Sequence, residues 1–157
     1  MNVPSIFKFL HILSMFAGVG ASTGTLLLVR RVARTNNATA IKTLLGAART
    51  IIAATPILFG IGAIFGLLTG ATSSFDFFKP WLLIAYTIFV VLLVVGARIS
   101  APWAMRVGKA AAMNQGDAPS AELQAATADQ SIDTAFWITM VLLVVVIFDM
   151  IFKPFGI

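Results

Sequence analysis

Two ionisable side chains stand apart inside the apolar runs of this chain: His11, its single histidine, and Asp149, set within Val144-Val145-Val146-Ile147-Phe148-Asp149-Met150. An ionisable group in an apolar helix is costly and usually faces a partner or a water-filled cavity. A histidine and an aspartate that meet can bind a cation, relay protons or hold a polar headgroup. The plainer alternative is that each lies near enough to the membrane interface to reach water or a backbone carbonyl. Met15 follows His11 by one helical turn, so the pair are also candidate ligands for copper or haem iron. One histidine cannot supply two axial haem ligands, so such a site needs His11 from two copies or His11 with Met15.

Other chemistries are set aside on the same residues. There is no cysteine, hence no disulfide, thiolate metal site or thiol nucleophile. A Gly-rich phosphate loop, zinc-ligand spacing, a Ser/His/Asp order and paired intramembrane carboxylates are all missing from the sequence, so a hydrolase or ATPase is not expected. The net charge of +5 comes from basic residues flanking apolar runs, which suits anionic lipid headgroups rather than nucleic acid.

The elements that must position these groups are membrane helices. Of the 157 residues, 59% are apolar and 11% charged, and the mean hydropathy is +0.98, beyond what a soluble core requires. The expected fold is all-α, one domain over 1–157, a bundle of four transmembrane helices with spans at about 6–29, 50–69, 81–99 and 134–152. The first apolar run reaches Val29, long enough to span, so it is read as a retained helix rather than a signal peptide. Pro56 is expected to kink the second helix, and Pro80 suits the start of the third. A polar connection covers 110–133, and its second half favours helix. The chain between spans one and two holds Arg30, Arg31, Arg34, Lys42 and Arg49, and the chain after span three adds Arg98, Arg106 and Lys109. These make eight of the eleven basic residues. The positive-inside rule then puts both connections in the cytoplasm and both termini on the outer side of a cell membrane. With that orientation His11 lies about 8 Å below the outer end of its span at 1.5 Å per residue, and Asp149 falls at a similar depth.

Gly20 and Gly24 on span one, and Gly62, Gly66 and Gly70 on span two, form small-residue ridges that let helix backbones approach closely. Trp81, Trp103 and Trp137 fall at span ends and are read as interface anchors. Arg98, near the cytoplasmic end of span three, is expected to snorkel to the headgroups or to pair with Asp133.

The run Phe7-Lys8-Phe9-Leu10-His11-Ile12-Leu13, then Phe16-Ala17-Gly18 and the basic stop Arg30-Arg31, resembles the first helix of small bacterial integral membrane proteins grouped as a predicted membrane family of unknown function. Trp81-Leu82-Leu83 through Pro102 to Arg106 is similar too. More distantly, the Leu-His with a later glycine resembles the copper-resistance membrane proteins of the D type and the membrane protoporphyrinogen oxidases. That likeness implies a ligand role for His11.

Three functions compete on these readings. The first is a non-catalytic accessory or structural subunit of a larger membrane complex, without a resident cofactor, joined to other membrane subunits or to itself. The second is a haem, porphyrin or copper protein using His11. The third is a small transporter or channel with His11 and Asp149 on its path.

Overall fold

The computed structural model describes residues 2–73 and 75–154, and these form six α-helices and one π-helical turn with no strand. The helices are α1 (Val3–Ala33), α2 (Ala38–Thr72), α3 (Pro80–Val95), α4 (Ala101–Met113), α5 (Ala121–Thr127) and α6 (Ser131–Phe152). Four helical stretches are long and apolar enough to cross a membrane: Val3–Ala33, Ala38–Thr72, Pro80–Met113 and Ala121–Phe152. The expected all-α architecture with four such helices is therefore observed. Each stretch runs past the apolar span read from sequence, because hydropathy marks only the part suited to hydrocarbon. The polar connection accordingly starts at Asn114, and residues 110–113 still belong to α4.

The chain divides into two compact units, one of residues 1–31 with 43–76 and the other of residues 32–42 with 77–157. In the first, α1 and α2 run antiparallel: Phe7 stacks on Phe65 with ring centroids 6.1 Å apart, His11 meets Gly62, and Gly18 lies against Phe59. Helix α2 is continuous through Pro56. Threonine hydroxyls in the apolar helices bond to the carbonyl one turn back, as Thr23 does to Val19, Thr55 to Ile51 and Thr69 to Phe65. Without water to serve them, that intrahelical route satisfies their donors.

In the second unit α3 and α6 pack together, and Lys153 at the end of α6 lies over the ring of Trp81 at the start of α3, so they too are antiparallel. The buried stripe of α3 is Trp81, Ala85, Ile88 and Val95. On α6 the buried residues Ile132, Ala135 and Asp149, with the half-buried Thr139, Leu142 and Val146 between them, recur in steps of three and four that keep one face turned inward. The opposite face presents Trp137, Val141, Val144, Phe148 and Ile151 outward, an apolar surface that suits lipid.

The π-helical turn Gly96–Ser100 joins α3 to α4. Pro102 explains it: the ring has no N–H for the Arg98 carbonyl and crowds it, and the Ala101 N–H reaches back five residues to Gly96. Beyond it, α4 and α5 close a polar cap over the same end of the unit. Leu123 and Val107 are fully buried there, and the Trp103 Nε1–H donates to the Ala126 carbonyl at 3.1 Å. The connection after α1 joins this cap. Arg34 makes two hydrogen bonds to the Asp133 carboxylate, at 3.0 and 2.8 Å, and the Ala38 N–H donates to the Asp117 carbonyl at 3.0 Å. Thr39 adds a hydroxyl bond to the Asp117 carboxylate.

Candidate functional site

His11 sits in a notch on α2. Its Nδ1 is 2.7 Å from the Gly62 carbonyl oxygen, and because a carbonyl only accepts, the proton belongs on Nδ1 and the lone pair on Nε2. The notch exists because two residues lack side chains. A Cβ at Gly66 would lie 2.8 Å from Nδ1 and 2.9 Å from Cε1 of His11, and one at Gly62 would lie 3.1 Å from the Met15 side chain. The imidazole and the thioether, one turn apart on α1, thus both rest on the Gly62–Gly66 ridge. Gly18, which sequence reasoning passed over, makes the third close approach, 3.2 Å from the Phe59 ring. An added Cβ at Gly20 or Gly24 instead meets nothing within 4 Å among the described residues of its unit, and Gly70 is buried near the end of α2.

Asp149 belongs to the other unit. It is 2% exposed, and neither carboxylate oxygen has a hydrogen-bond partner among the described residues. His11 and Asp149 are described within their separate units, and their pairing stays an expectation from sequence. Nor does one chain bring together three His, Cys, Asp or Glu side chains that could hold a metal ion, among the described residues.

The expected anchors divide. Trp137 is 64% exposed on the outward face of α6, as an interface residue would be. Trp81 and Trp103 are buried at 6% and 1%: the first carries Lys153 on its ring at 5.3 Å and the second is a packing residue of the polar cap. Sequence position put both at span ends, but docking of α6 and α5 covers them. Arg98 is exposed on the π-helical turn, while Asp133, its expected alternative partner, takes the Arg34 guanidinium. A second pair in the cap joins Arg106 to Asp129. The Asp129 carboxyl is held below the usual carboxylate range, first by hydrogen bonds from the Ser131 side chain and backbone N–H and then by Arg106.

A family model described as "Predicted integral membrane protein (DUF2269)" matches residues 5–154, nearly the whole chain. No curated protein and no solved structure matches it.

Proposed function

The chain belongs to the DUF2269 family of predicted integral membrane proteins, and on that premise we propose that it serves as a non-catalytic subunit of a larger membrane assembly, with both connections in the cytoplasm and both termini outside. The observation that carries this reading is the unequal use of its two glycine ridges. Gly62 and Gly66 are filled by the chain's own α1, whereas Gly20 and Gly24 present a bare strip of α1 with nothing within 4 Å. In lipid, where burial of apolar surface does not drive helices together, close backbone approach at such a strip is a main source of association. The test is the mass of the particle extracted in mild detergent with its lipids. The wild type runs above the monomer with a second copy or a partner, and Gly20→Ile with Gly24→Ile, which fill the strip, reduce it to the monomer. A wild type that is already a bare monomer removes the reading.

A second reading, that His11 holds a ligand, is favoured by the Nδ1 hydrogen bond. Fixing one imidazole nitrogen on a carbonyl is how proteins aim the other nitrogen at a metal. One chain offers a single imidazole nitrogen with the Met15 thioether one turn away, so a haem or copper site on this plan uses His11 with Met15 or His11 from two copies. Visible absorption and metal analysis of the purified protein decide it: a Soret band or bound copper is expected, and the absence of both overturns this reading.

A further inference from the structure

We infer that Asp149 is a proton-binding site, carrying its proton as a carboxylic acid inside the folded protein. Asp149 lies on the inward stripe of α6 with Ala135, Leu142 and Val146, so its helix turns it into protein rather than toward lipid or headgroups. Both oxygens are shut off from solvent and have no hydrogen-bond partner among the described residues. Its natural partner along the helix, Lys153 four residues on, is drawn elsewhere. The helix ends at Lys153 in a left-handed conformation (φ 46°), and its ammonium lies over the Trp81 ring. Among the described residues, the other charged side chain of the unit at this end is Lys79, ahead of α3, and it forms no hydrogen-bonded ion pair with Asp149.

Position along the helix adds to the cost of a bare charge. Asp149 is in the last turn of α6, where unpaired carbonyls make the end negative and disfavour an anion. An ionised carboxylate with no donor, no cation and the wrong end of a helix beside it is disfavoured from three sides. A proton removes all three penalties, and it is the ligand small enough for oxygens closed to solvent. It also provides the one O–H through which the acid can use the intrahelical route that threonines of the apolar helices use. A leucine at 149 would complete the same stripe without any of these costs, so what the aspartate contributes is the proton.

The test uses the full chain in phosphatidylcholine vesicles at neutral pH. Infrared difference spectra between wild type and Asp149→Asn are expected to show the C=O stretch of a protonated carboxylic acid in the wild type and its loss in the variant. Loss of ionised carboxylate bands alone overturns the inference. A second measurement needs no variant: dicyclohexylcarbodiimide, an apolar reagent that adds to protonated carboxyl groups, is expected to modify Asp149 in the wild type, as located by mass spectrometry of peptides. Modification confined to other carboxyls, or none, overturns it as well. Asp149→Leu is expected to keep its helical circular dichroism and lose the modification.

Discussion

Gly66→Ala places a methyl group where the His11 ring now lies. The added Cβ would sit 2.8 Å from Nδ1 and 2.9 Å from Cε1, closer than carbon atoms tolerate, so the ring must turn away from the Gly62 carbonyl it holds at 2.7 Å. Losing that half-buried bond costs about 1–3 kcal/mol. Crowding the α1–α2 contact adds about 1–3 kcal/mol if the backbones part instead. Alanine's better helix propensity returns about 1 kcal/mol. Either route, at about 2 kcal/mol less the roughly 1 kcal/mol returned, leaves a net destabilisation of about 1 kcal/mol, roughly fivefold in the folding equilibrium. The assay is reversible unfolding in mixed micelles with increasing sodium dodecyl sulfate, followed by circular dichroism. Gly20→Ala is the control, since open space surrounds it and only the propensity gain operates. The double change His11→Ala with Gly66→Ala isolates the cause: with the ring gone, the alanine at 66 should cost little or stabilise. Equal stabilities of Gly66→Ala and Gly20→Ala, or an undiminished cost in the His11→Ala background, refutes the argument.

Other consequences concern the polar cap. Leu123→Ala removes a fully buried side chain from the α4–α5 contact and should cost about 2–5 kcal/mol of cap stability, read by hydrogen exchange over α4 and α5. Trp103→Phe keeps most of the ring volume but leaves the Ala126 carbonyl without its donor, for a loss of about 1 kcal/mol by the same measurement. Asp129 has its carboxyl lowered in the folded state, so the stabilisation it gives is present above its unfolded pKa and lost as pH falls through the folded value. Exchange at the α5–α6 junction should therefore rise below about pH 4, and Asp129→Asn should abolish that acid response.

The four membrane helices could be read from sequence because hydrocarbon demands long apolar runs and the charges gather between them. Helix ends were less legible. Residues 110–113 are apolar but follow the basic residues Arg106 and Lys109, which read as the end of the span, yet they continue α4, with Ala110 and Ala111 buried where α5 packs on it. Trp103 misleads for the same reason: its place beside Arg106 looks interfacial, and only the docking of Leu123 and Ala126 onto α4 encloses it. Of the candidate site, His11 was visible by its rarity, but its seat on Gly62 and Gly66 depends on the register of two helices some fifty residues apart. Gly18 escaped notice because what it accommodates, Phe59, is set by that same register. Asp149 was marked by its apolar neighbours; that it turns inward follows from the stripe it shares with Ala135 and Leu142, a spacing present in the sequence all along.

A helical chain that crosses the membrane four times puts the connections after its first and third crossings at one face. Because the chain has no cysteine, single cysteines at Asn37, Gln115 and Phe75 can be probed with a membrane-impermeant maleimide from either side of oriented vesicles. Asn37→Cys and Gln115→Cys should be labelled from the same side, the cytoplasmic one, and Phe75→Cys from the other. Labelling of Asn37→Cys and Gln115→Cys from opposite sides would contradict the account.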